Sequence, residues 1–197
     1  VPYTTSDFER LISKLAASDL LARDDETRTE KINEARQTWE RSVPITRENA
    51  DAVRPALLYL NHRGLRASTA SNVARFSPNV YDGPAIVFPA LCSTGEIEGI
   101  QSVLLTPEGR KRKHNGISKY SRGVIAGNVM RVGDTGPIIL TEGPEDALSV
   151  RQAVGDEATV VCTFGKAGMS TYNVPRASDV TICADPDLNV DAVADVL

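Results

Sequence analysis

The chain has 197 residues, 41% of them hydrophobic and 24% charged, with a net charge of −4, so it can bury a core in one large domain or two small ones. No run approaches the roughly 18 consecutive apolar residues of a membrane-spanning helix, which excludes a helical membrane protein. Three scattered cysteines (Cys92, Cys162, Cys183) and two histidines supply too few spaced ligands for a structural zinc. They suit reduced, buried thiols and a cytoplasmic compartment.

The charge is unevenly spread: residues 140–197 carry ten acids and three bases, a net of −7, and the preceding 139 residues carry a net of +3. At the start of the chain, Phe8, Leu11, Ile12 and Leu15 repeat at helical spacing behind Ser6, a cap-forming residue. Ile32, Ala35 and Trp39 repeat in the same way, until "SVP" stops the pattern near Pro44, predicting a helical hairpin over residues 1–41. A third helix is expected from Pro55, with Ala56, Leu57 and Leu60 on one face and Gly64 as its C-cap.

From Pro84 the texture turns to β. "AIVFPAL", "EIEGIQSVLL" and "NVMRV" are short apolar runs separated by Gly, Pro and Asp, predicting a small, mostly antiparallel sheet. Between Arg110 and Arg122 lie six Lys or Arg (Arg110, Lys111, Arg112, Lys113, Lys119 and Arg122) and no acid. Such a patch suits phosphates of nucleic acid or nucleotide, with Tyr120 able to stack on a base, and the Gly-, Asn- and Ser-rich stretch reads as a mobile loop. The same charges would also suit a solvated hairpin. Arg63 and Arg66 could line a groove beside it, and Lys166, on a Gly-flanked loop, could touch phosphate.

"PIILTEG", "ATVVCTFG" and "SDVTICADPD" close on Gly or Asp, with a helical pattern through Ala147, Leu148, Val150, Ala153 and Val154 between the first two. Near-continuous apolar strands joined by helices predict a parallel sheet buried on both faces. The carboxyl ends of such strands are where ligands bind, and they carry Glu142 and then Asp185 with Asp187. Asp146 lies one helical turn beyond Glu142. Converging carboxylates repel one another unless a hard cation such as Mg²⁺ or Mn²⁺ neutralises them. The same acids also serve as helix-end and turn residues, and spacing alone leaves both readings open.

"ILTEGPEDALSV", followed 43 residues after Glu142 by "ICADPD", resembles the Toprim domain of topoisomerases and primases, whose signature is a Glu at one strand end and Asp-x-Asp at another. "EGPED" is similar to the Glu-Gly-x-x-Asp form of DnaG-type primases. "ALLYLNHRGL" and the β-rich segment through "SKYSRGVIAGNVMRVG" resemble the region preceding Toprim in primases of phages and mobile genetic elements. The resemblance covers roughly Ser42 to Leu197. It implies residues 42–136 as a basic α/β subdomain and 137–197 as a Rossmann-like Toprim domain, and it leaves the helical hairpin expected over residues 1–41 without an assigned role.

The activity implied is DNA primase: metal-dependent nucleotidyl transfer making short RNA primers on single-stranded DNA from ribonucleoside triphosphates. Glu142, Asp185 and Asp187 would be catalytic and, with Asp146, would hold Mg²⁺ or Mn²⁺. Arg110, Lys111, Arg112, Lys113, Lys119, Arg122 and Lys166 would bind nucleic acid or nucleotide. A replicative helicase, in the same or another chain, is an expected partner and a membrane is not. Alternatives are a Toprim nuclease and a non-catalytic nucleic-acid-binding module of a larger replication or mobile-element protein. No zinc-binding module or helicase P-loop appears. The chain stops ten residues after Asp187, so an incomplete Toprim fold is expected, with Val190, Val193, Ala194 and Leu197 starting a covering helix.

Overall fold

A computed structural model describes residues 24–175 and 179–183. The expected first helix, Asp185, Asp187 and the helix suggested by Val190 to Leu197 lie outside the described residues. The described part is a mixed α/β fold with two sheets.

Helix α1 occupies residues 24–41. Its Ala35 is fully buried and packs with Val87, Ile100 and the half-buried Trp39, as the helical spacing predicts. The helix stops where Ser42 Oγ donates to Thr38 O at 2.7 Å. The first sheet is antiparallel, in spatial order β1 (Val43–Pro44), β2 (Arg75–Ser77), β3 (Ala85–Leu91), β4 (Ile97–Leu104) and β5 (Lys119–Gly123). Pro89 sits inside β3 without breaking a ladder, because β2 pairs only with Ala85–Val87 and leaves that edge of β3 needing no donor.

Helix α2 (Arg54–His62) begins with Pro55 in its first turn and ends at Gly64, whose φ of 70° is left-handed. Leu65 N then donates back to Leu60 O at 2.8 Å, closing the helix as the Gly C-cap predicts. A short α3 (Ala67–Ala70) follows.

The second sheet has the order β6 (Met130–Val132), β8 (Thr159–Cys162), β7 (Ile138–Thr141), β9 (Val180–Cys183). β7 is parallel to both β8 and β9, and β6 is antiparallel to β8. Helix α4 (Pro144–Val154) links β7 to β8, and α5 (Lys166–Thr171) follows β8. Because successive strand residues face opposite ways, Val160 and Cys162 join Ala147 and Leu148 of α4 in the main core. Ile138, Leu140 and Val161 pack instead with Met169 of α5. Both faces of β7 and β8 are thus covered, which is why their sequences lack a polar alternation.

The segment "NVMRV" was expected in the antiparallel sheet, yet β6 pairs with β8. Apolar patterning marks a strand but not its partner. The main core is accordingly continuous from Ile45 and Phe88 to Met130 and Val160. The basic stretch expected as a loop contributes β5, an edge strand whose polar sequence "KYSRG" reflects its one-sided exposure. All three cysteines are free, but only Cys162 is buried. Cys92 lies in a turn and Cys183 on β9 at the sheet margin. No helix among the described residues is long and apolar enough to cross a membrane.

Candidate metal and nucleic-acid site

Strand β7 ends at Thr141, and the chain then runs Glu142, Gly143 and Pro144 into α4. Gly143 has ordinary extended backbone, so its need for glycine is spatial. A Cβ there would lie 2.6 Å from Asp146 Oδ2. Asp146 folds back over Gly143, beside the junction that carries Glu142. Glu142 Oε2 is shielded from solvent and finds no hydrogen-bond partner among the described residues. Unpaired buried carboxylate oxygens are costly, and one at the carboxyl end of a parallel strand has the hard-donor chemistry that suits Mg²⁺ or Mn²⁺.

The described residues contain no group of three or more ligand-type side chains. The remaining two acids of the expected set, Asp185 and Asp187, follow Cys183 in sequence. Cys183, the last described residue of β9, pairs in parallel with Thr141, so β7 and β9 end side by side.

Three residues beyond Glu142, Glu145 is in a different condition. Its side chain is only 5% exposed and lies 2.9 Å from Lys111 Nζ, 3.1 Å from Lys119 Nζ and 3.8 Å from an Arg63 amine. Tyr59 donates its hydroxyl to Oε1 at 2.7 Å. Burial opposes ionisation most strongly, but Lys119, Lys111 and Tyr59 together outweigh it and hold the carboxyl at about 2. Burial, and then the charge of Glu145, push the Tyr59 hydroxyl far above its ordinary range, so it remains a donor. Nothing local in the sequence marks Glu145, since its partners come from α2, the segment after β4, and β5.

This arrangement redistributes the basic stretch. Lys111 and Lys119, 34% and 38% exposed, turn to Glu145. Arg112 donates to the carbonyls of Val80, Tyr81 and Leu105. Arg122 lies 3.9 Å from Glu34 and 3.4 Å from the Thr38 hydroxyl. The side chains of Arg110 and Lys113 are exposed and form no hydrogen bond or ion pair with another described residue. The loop reaches Glu145 because Gly109, with φ of 70°, passes directly over α2, where a Cβ would lie 2.5 Å from Leu58 Cβ. A cleft of about 240 Å³ beside it is lined by Tyr59, His62, Arg63, Gly109, Arg110 and Lys111. Arg66 is tied to Gln152, and Lys166 is the half-buried first residue of α5. Cys162, under Glu142, is pushed up to about 12 by burial and stays a thiol.

No curated protein matches the chain. Several solved structures are similar to it in part, three of them as follows. The primase fragment of the bacteriophage T7 primase-helicase protein is 16% identical over 70% of this chain and 60% of that one, with a TM-score of 0.49. The bacteriophage T7 lagging-strand DNA polymerase interacting with primase domains of two gp4 subunits, bound to an RNA/DNA hybrid and dTTP, gives 17%, 70%, 71% and 0.48. The DnaG primase catalytic domain bound to ssDNA gives 12%, 89%, 67% and 0.43. The chain thus spans 60% of the length of the first of these. A family profile described as a domain of unknown function, DUF7146, matches residues 29–132. That match takes in more than half of the sequence, and the chain belongs to the DUF7146 family.

Proposed function

We propose that this chain is the core of a Toprim-type DNA primase, with a basic α/β part over residues 42–136 and a Rossmann-like Toprim part from residue 137 onward. The observation that carries the reading is the parallel register Thr141 with Cys183 together with the unpartnered Glu142 Oε2. Glu142 follows one of these strand ends, and the Asp-x-Asp segment follows the other in sequence. Glu142, Asp146, Asp185 and Asp187 would hold Mg²⁺ or Mn²⁺. When bound, such cations neutralise nucleotide phosphates and make a primer 3′-hydroxyl more acidic.

Glu142 would bind metal or act as the general base toward that hydroxyl. Asp146, over Gly143, adds negative charge on the same side. Arg110 and Lys113 have charge free for template or triphosphate phosphates. Lys111 and Lys119 serve first to fix Glu145, and so anchor the basic segment to the start of α4. Single-stranded DNA and ribonucleoside triphosphates are the substrates of this reading, and a helicase in the same or another chain its partner.

The test is incubation of the protein with single-stranded DNA, labelled ribonucleotides and Mg²⁺ or Mn²⁺. Labelled primers are expected, whereas degraded template without primers would make the protein a nuclease. Manganese binding, read directly by titration, should be lost in the Asp185→Asn/Asp187→Asn double variant. Undiminished binding there would leave a non-catalytic nucleic-acid-binding module.

A further inference from the structure

Alternation along β5 sends Lys119 toward Glu145 and Tyr120 and Arg122 to the opposite face. On that face Tyr120 stands directly across from Ser102, and Arg122 across from Ile100. Helix α1 and the turn after β2 wall off a cleft of about 340 Å³ there, lined among others by Arg41, Asn79, Tyr81, Ser102, Tyr120 and Arg122. The size falls at the lower end of the roughly 300–1,000 Å³ of small-ligand sites. Among the described residues no acidic side chain is in the lining, although Arg122 has Glu34 at 3.9 Å outside it. Arg41 is exposed and makes no ion pair or hydrogen bond with a described residue.

The aromatic wall is held in an uncommon way. Tyr81 and Asp82 both have left-handed backbones, with φ of 48° and 61°, a conformation that costs a bulky residue energy. The Arg112 guanidinium keeps the turn in place through the carbonyls of Val80 and Tyr81. The Tyr81 ring lies 4.4 Å from that of Tyr120 and 5.1 Å from that of His114, while Tyr120 donates its hydroxyl to His114 O. A cluster that only closed a turn would bury its rings, yet Tyr81 remains 39% exposed. A strained turn thus presents an aromatic surface at the mouth of a cleft that also holds two arginines.

We propose that this cleft is a second nucleotide site, taking one base against Tyr81 and Tyr120 and the attached phosphate between Arg41 and Arg122. Aromatic faces accept any base, and guanidinium groups pair with phosphate oxygens. The occupant is one unit of a single strand or a free nucleotide. The site lies across edge strand β5 from Glu145, and its occupancy does not depend on the metal-centre reading.

The test is binding of a labelled oligothymidylate to the full chain by fluorescence anisotropy in excess chelator, so that cation-dependent binding is silent. Tyr81→Gly removes the ring while suiting the left-handed backbone, so weakened binding cannot be laid to a broken turn. About a tenfold loss of affinity is expected, and Tyr81→Phe should bind as wild type does. Arg41→Ala should lower the slope of log affinity against log salt by about 0.7. Titration with a ribonucleoside triphosphate distinguishes the sources: loss confined to it assigns free nucleotide, and loss confined to the oligomer assigns a strand. If Tyr81→Gly binds both as tightly as wild type, the proposal is overturned. A Glu142→Gln variant that binds normally but makes no primer leaves this cleft standing, and a silent cleft leaves the metal-centre reading standing.

Discussion

Two carboxylates at the start of α4 have opposite surroundings. Glu145 is enclosed by two lysines, an arginine and a tyrosine hydroxyl, whereas Glu142, one turn earlier, has a shielded oxygen with no described partner. A fully satisfied buried charge ties elements together. An unsatisfied one at a strand end stores the capacity to bind something else. The difference separates a satisfied acid from an unpartnered one within a single sequence motif, since both sit within "EGPED".

The largest expected effect falls on Glu142. Glu142→Gln should lower primer synthesis about a thousandfold or more with the melting temperature unchanged or slightly raised. A variant with full activity would erase the functional half of the contrast. Next comes Glu145→Ala, which leaves three cations and a hydroxyl facing a void. We expect about 3 kcal/mol of lost stability by denaturant unfolding, and an effect below about 0.5 kcal/mol would make the enclosure cosmetic.

Acid titration sharpens the same point. The folded Glu145 carboxyl lies at about 2 against an ordinary 4.5, a depressed value, so its contribution is complete above about 4.5 and is lost as pH falls toward 2. Since its lysine partners are about a third exposed, the stability difference between wild type and Glu145→Gln should shrink by only about 2 kcal/mol across that window. A difference independent of pH would remove the charge from the explanation. The smallest effect belongs to the basic segment's free members. Replacing Arg110 or Lys113 by Ala should reduce the salt dependence of single-stranded DNA binding by about 0.7 each in the log–log slope, without loss of stability. Lys111→Ala should instead destabilise the protein.

Much of this was legible in the sequence. The spacing of Ile32, Ala35 and Trp39, Pro55 with Gly64, and the apolar runs of β7, β8 and β9 each carry a local signal that the fold obeys. Glu142, whose Oε2 has no partner among the described residues, is at the strand end where carboxylates suggest a ligand. What escaped was non-local. β1 and β2 are two and three residues long, too short for a period to show. β5 is a polar edge strand that reads as loop, and the pairing of β6 depends on a strand some thirty residues downstream. Glu145 escaped for the same reason, because Tyr59 and Lys119 stand 86 and 26 residues before it. The six-cation stretch looked like one patch, but folding divides it among an acid, a set of carbonyls, a helix and solvent.

The order of these residues along the chain has a further consequence. Tyr59, Arg63, Lys111 and Lys119 all precede Glu145, so during synthesis each of its partners leaves the ribosome before the carboxylate does. With N-terminal parts folding first, the antiparallel sheet can form with its lysines still solvated. Glu145 then arrives at a prepared cationic socket as α4 docks. On that order the carboxylate is not buried ahead of its counterions.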